Sequence, residues 1–105
     1  MIERRQYGRV SFPFPVRLET MTTNGKKVLD LETKDISACG TFIPTLTSFP
    51  EGTRFILDLT FPSNNQTLQD VKNLKGYIGS LVRSTPHGIA IQFDREFQME
   101  NFKVL

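Results

Sequence analysis

Arg54-Phe55-Ile56-Leu57-Asp58-Leu59-Thr60-Phe61 carries a large apolar side chain at every second position, 55, 57, 59 and 61. Successive side chains of an extended chain point to opposite faces, so a period of two marks a half-buried β-strand. Pro50-Glu51-Gly52-Thr53 reads as a turn before this strand, and Pro62-Ser63-Asn64-Asn65 closes it. Working outward, Phe12, Phe14, Val16 and Leu18 alternate with Ser11, Pro13, Pro15, Arg17 and Glu19. Both prolines fall on the polar face, which suits a sheet edge or an irregular start. Thr22-Thr23-Asn24-Gly25 is a hairpin signal, and Val28 to Asp35 makes a second strand. Thr41-Phe42-Ile43 is a short third strand cut off by Pro44. A long strand from about Val71 to Arg83 contains Gly76 and Gly79, a hint of a bulge or strong bend. Thr85-Pro86-His87-Gly88 turns the chain into a last strand through Ile89, Ile91 and Phe93. Asp94 is placed to cap a short helix over Arg95 to Phe102, with Phe97 as an apolar contact.

Six short strands with Gly/Pro turns predict an all-β domain, a small six-stranded antiparallel barrel with a short C-terminal helix. The helix would cover a barrel mouth or serve as an interface. The 105 residues suit one domain with one modest core. An apolar fraction of 38% is low, but nine phenylalanines compensate and favour a folded chain over disorder. No internal repeat or low-complexity segment interrupts the pattern.

Charge is nearly balanced at +2, which argues against a broad basic face for a nucleic-acid polymer. The positive charge is local instead: Arg4, Arg5 and Arg9 face only Glu3 within the first ten residues. That distribution suits a small anionic ligand. Cys39 is the single cysteine and His87 the single histidine, so neither an internal disulfide nor a cysteine-rich zinc site is available. No stretch approaches the ~20 apolar residues of a membrane span, and no apolar segment follows the N-terminal arginines as a secretory signal requires. A cytoplasmic protein without membrane insertion is the expectation.

Two polar signatures stand about thirty residues apart: the arginines of Glu3-Arg4-Arg5-Gln6-Tyr7-Gly8-Arg9, and Asp35-Ile36-Ser37-Ala38-Cys39-Gly40. Guanidinium pairs bidentately with phosphate or with the O6/N7 edge of guanine. A carboxylate accepts from guanine N1–H and N2–H₂, and a hydroxyl or glycine amide reaches phosphate. Each half taken alone has a blander reading. The arginines would be a solvated basic tail, Asp35 and Ser37 turn-formers, and Gly40 a residue needing positive φ.

In combination the residues resemble the PilZ domain, the bacterial receptor module for cyclic di-GMP. Arg5-Gln6-Tyr7-Gly8-Arg9 matches the family's R-x-x-x-R, and Asp35 to Gly40 its [D/N]-x-S-x-x-G. Thr41-Phe42-Ile43 and the closing Gly88-Ile89-Ala90-Ile91-Gln92-Phe93 are also similar, so the likeness spans nearly the whole chain in the right order. It implies a flexible arginine-rich arm over residues 1–10, closing over ligand that lies on a barrel formed by residues 11–105. By that resemblance Arg5 and Arg9 clamp guanine and phosphate, and Asp35 reads a guanine edge. Ser37 meets phosphate or ribose, and Gly40 lets the backbone approach closely. Arg4 is similar to the pattern that accompanies an intercalated ligand dimer. Cys39 and Ala90 depart from the commoner pattern, without touching the chemistry directly.

The resemblance implies a cyclic di-GMP receptor that signals to a protein partner, with no catalytic activity, metal or cofactor. The alternative from another class is a PilZ-like adaptor that works by protein contact without ligand. A third, a small barrel binding single-stranded nucleic acid, needs a basic groove interleaved with exposed aromatics and is disfavoured by the charge balance. His87, Asp58, Asp70 and Asp94 lie in separate segments and compose no metal or carboxylate pair. Arg83, at a strand end, reads as a solvated side chain more readily than as part of a ligand surface.

Overall fold

A computed structural model describes residues 10–21, 26–62 and 71–96. These form seven strands: β1 (Pro15–Thr20), β2 (Val28–Glu32), β3 (Asp35–Ile36), β4 (Gly40–Ile43), β5 (Arg54–Pro62), β6 (Val71–Thr85) and β7 (Gly88–Phe93). They make one antiparallel sheet in the order β2-β1-β5-β6-β7-β4-β3.

That order contains its own argument for curvature. β2 and β3 lie at opposite edges, six inter-strand steps apart, which would be about 29 Å in a flat sheet. Only Thr33 and Lys34 separate them in sequence, a link of three Cα–Cα steps that reaches about 11 Å at most. The sheet therefore curls, bringing the end of β2 close to the start of β3. Hydrogen bonds show the junction directly: Thr33 N–H donates to the carbonyl of Phe14 beside one edge, and Lys34 N–H to that of Phe42 beside the other. The buried Thr33 hydroxyl completes the seam, donating to the Phe12 carbonyl at 2.8 Å and accepting from Phe14 N–H at 3.1 Å.

The single strand expected over Val28–Asp35 is thus two, which corrects the count from six to seven. The physical reason is visible in burial. Leu29, Leu31 and Thr33 face inward at every second position, but the next inward residue is Ile36, three further on. The parity breaks where the chain leaves one edge for the other.

β5 is an interior strand between β1 and β6, and its alternation buries one face. Phe55, Leu57, Leu59 and Phe61 are buried and pack with Phe14, Val16, Leu18, Ile36, Ile43, Leu81, Ile89, Ile91 and Phe93. Leu18 stands opposite Leu57, and Val16 opposite Leu59. Pro13 and Pro15 are exposed, and Pro15 occupies the first position of β1, where its missing N–H costs least.

Two bulges shape β6. At the first, Leu57 pairs with Tyr77 but Leu59 with Leu74, and Gly76 adopts φ +73° while donating its N–H to Asp58 Oδ1 at 2.9 Å. Gly76 therefore marks a bulge as the sequence suggests, whereas Gly79 sits in regular pairing opposite Phe93. The second bulge falls at Val82, between Leu81 paired with Ile91 and Arg83 paired with Ala90. No glycine announces it.

The helix expected over Arg95–Phe102 falls mostly outside the described residues, and no helix occurs among the described ones. The residues that Asp94 would cap lie largely in that same stretch; among the described residues its carboxylate accepts two hydrogen bonds from Arg54, both at 2.9 Å. The hairpin Thr22–Gly25 and the closing residues Ser63–Asn65 also lie outside the described residues.

Candidate functional site

β3 and β4 are joined by the three residues Ser37-Ala38-Cys39, inside the Asp35–Gly40 motif. Ser37 N–H donates to the Gly40 carbonyl at 2.8 Å, closing the hairpin. The Ser37 hydroxyl also donates to that carbonyl, at 3.4 Å, and accepts from Cys39 N–H at 3.3 Å. Ala38 is buried and pins the loop to the core, while Cys39 is exposed. Ser37 thus does hold the turn, and both of its side-chain bonds are long by hydrogen-bond standards.

Gly40 departs from the expectation of positive φ, which is found instead at Gly52, Gly76 and Gly88. Its reason for being glycine is the neighbouring strand. A Cβ at Gly40 would collide with the Ile91 carbonyl oxygen and lie 3.3 Å from Gln92 Cα.

The turn borders a cleft of about 470 Å³ on the outer face of β3, β4, β7 and β6. Directly opposed residues of an antiparallel ladder point to the same face. Pairing of Asp35 with Phe42, Phe42 with Ala90, and Ala90 with Arg83 therefore sets these four in one outward row. The neighbouring row, Ile36, Thr41, Ile91 and Leu81, is buried on the inner face. Lys34, Ser37, Cys39, Gly40 and Gln92 complete most of the remaining lining.

Among the described residues, Lys34 and Arg83 are the exposed cations of this lining and Asp35 its one acid. The balance favours an anion. Phe42, half-buried, supplies an apolar floor beside Asp35. Among the described residues, no group of three His, Cys, Asp or Glu side chains could hold a metal ion.

The N-terminal arm meets the site through Val10. Val10 N–H donates to the Ile36 carbonyl at 2.8 Å and Ile36 N–H to the Val10 carbonyl at 3.0 Å, an antiparallel bridge between Asp35 and Ser37. Val10 also packs against the core. Arg9 immediately precedes it in sequence. Arg4, Arg5 and Arg9 themselves lie outside the described residues.

Asp35, Ser37 and Gly40 are accordingly brought to one cleft, and Arg83 joins them where sequence reasoning had favoured a solvated strand end. Phe42 was missed as a lining residue. Its signal was parity: with Ile43 inward, Phe42 must face outward. Elsewhere, Asp94 is held below the ordinary carboxylate range by its hydrogen bonds from Arg54. Both partners are well exposed.

A small curled antiparallel sheet with this turn at the rim of an exterior cleft defines an all-β module with a candidate ligand face. The profile of the PilZ domain matches residues 3–105, and the chain belongs to that family. Among solved structures, it is similar to the Bacillus subtilis inhibitor of motility MotI/DgrA, with a TM-score of 0.71 and 17% identity. That similarity covers 99% of this chain and 49% of the other, so the chain spans about half the length of MotI/DgrA. It is also similar to the PilZ domain of Escherichia coli YcgR, solved with c-di-GMP: TM-score 0.51, 20% identity, 92% of this chain and 80% of the other. At these identities the likeness is one of fold. No curated protein matches the chain.

Proposed function

We propose that this chain is a cyclic di-GMP receptor that relays the level of the second messenger to a protein partner. The observation that carries the reading is the convergence at β3: the Asp35–Gly40 turn borders a cation-lined cleft, and Val10 tethers the arginine arm between Asp35 and Ser37. Asp35 reads a guanine edge. Ser37 exchanges its long internal bonds for a phosphate or ribose oxygen, and Gly40 keeps the turn close to β7. Arg5 and Arg9 clamp guanine and phosphate, and Arg4 serves a second, stacked ligand molecule. Coupling follows from differential affinity, because ligand that orders the arm favours one arrangement of the receptor over another.

Isothermal titration with cyclic di-GMP, with GTP and cyclic GMP as controls, tests the reading. Saturable binding of the cyclic dinucleotide alone is expected, and its stoichiometry reports the role of Arg4. No heat at micromolar ligand would leave an adaptor acting by protein contact only. Arg9→Lys is expected to weaken binding by roughly 5- to 150-fold, since a lost bidentate guanine contact costs ~1–3 kcal/mol. Lysine keeps the charge but not the planar fork. An Arg9→Lys chain titrating like wild type would refute the clamp.

A further inference from the structure

We infer that Arg83 is a phosphate-pairing residue of the same ligand face, at the opposite end of the outward row from Asp35. The inference rests on the cyclic di-GMP reading above and adds a contact outside both sequence motifs. Its basis is the bulge at Val82. Continued regular alternation from the buried Leu81 would set Val82 opposite Ala90 and turn Arg83 inward opposite Ile89. The extra residue instead pairs Arg83 with Ala90 and aims it outward, the re-aiming effect for which bulges are known. Among the described residues Arg83 makes no ion pair or side-chain hydrogen bond, and it lines the cleft that holds Asp35, Ser37 and Gly40.

The span fits the ligand. Asp35 and Arg83 stand on strands three steps apart, about 14 Å, with only Phe42 and the small Ala90 between them in the row. In a guanine nucleotide the hydrogen-bonding edge of the base and the phosphate lie at opposite ends of the nucleoside. A guanine whose edge meets Asp35 therefore directs its phosphate along the row, over Phe42 and Ala90, toward Arg83. An unpaired guanidinium at that point gains a charge-assisted hydrogen bond without giving up an existing one.

The test is calorimetric titration of cyclic di-GMP into wild type, Arg83→Ala, Arg83→Lys and Lys75→Ala, with melting curves to confirm folding. Lys75→Ala removes an exposed cation from a different groove, lined by Arg17, Asp30 and Asp58. Arg83→Ala is expected to weaken binding about tenfold and to reduce its salt sensitivity. Arg83→Lys should recover part of the loss, because phosphate accepts a point charge, and Lys75→Ala should match wild type. A wild-type titration with binding but an Arg83→Ala chain of equal affinity overturns this inference alone. An Arg83→Lys chain as weak as Arg83→Ala overturns the phosphate assignment, and a silent wild type overturns the receptor reading and this inference with it.

Discussion

Gly40 shows how one residue can serve a motif for two reasons. Its place in the Asp35–Gly40 motif suggests that glycine is there to admit ligand, yet the nearest obstacle to a side chain is the backbone of β7. An added methyl must push β4 away from the Ile91 carbonyl, and backbone does not yield as a flexible side chain does. Gly40→Ala is therefore expected to destabilise the ligand-free protein by ~1–3 kcal/mol, the range for overpacking at a tight contact. Chemical denaturation without ligand checks this, and an unchanged midpoint would return Gly40 to a purely ligand-facing role. Asp94 makes a second residue-scale case. Its carboxyl is lowered from the ordinary value of 3.8 first by its hydrogen bond from Arg54, so the folded state holds its proton less tightly than the unfolded state. The stabilisation is then present above about pH 4 and is lost as pH falls through the lowered folded value. Asp94→Asn should melt slightly below wild type at neutral pH, and the two curves should converge toward pH 2. The gap at neutral pH will be small, because the pair is well exposed.

At the scale of elements the instructive junction is β2 to β3. Thr33 is buried, and its hydroxyl ties the crossing chain to both Phe12 and Phe14. Thr33→Val keeps the shape and removes both bonds, leaving Phe14 N–H with its 3.0 Å contact to the Phe12 carbonyl. A loss of ~1–2 kcal/mol is expected in urea denaturation, as for a partly compensated buried donor. A neutral result would mean that covalent connection alone keeps the sheet curled at this junction. This junction also marks the boundary of what local sequence could say. β1, β5 and β7 were legible because their apolar residues alternate over several turns of the pleat. β3 has two residues, and its separation from β2 depends on hydrogen bonds that Thr33 and Lys34 donate to Phe14 and Phe42, both outside the segment itself. The same holds for the two bulges. Gly76 advertises one through its positive φ, whereas the other is set by register against β7, so Arg83 could not be assigned a face from its neighbours in sequence. Within the turn, Asp35, Ser37 and Gly40 were legible as a motif, but the cleft they border needed four strands from distant parts of the chain.

For the molecule as a whole, the decisive separation is between what holds the fold and what is proposed to grip the ligand. The described core runs from Phe14 to Phe93, with Val10 the first of the described residues to pack against it. The arginines precede Val10 in sequence, and Val10 is itself tied to β3 by two backbone bonds. A chain lacking residues 1–9 should therefore fold with an intact Val10–Ile36 bridge and an intact Asp35–Gly40 turn, yet bind cyclic di-GMP poorly. Ligand that binds only the folded state stabilises it by about 2.7 kcal/mol at a hundred times Kd. Each kcal/mol raises the Tm of a domain this small by about 4–8 °C, so the full-length chain should gain roughly 10–20 °C. The truncated chain should start from nearly the same Tm and gain about 2 °C or less at the same ligand concentration, given the affinity that arginine contacts carry. Differential scanning fluorimetry of both chains, with and without ligand, reads all four values. A truncated chain that keeps the full ligand shift would place the binding energy in the cleft alone, and one that melts far lower without ligand would make the arm part of the fold.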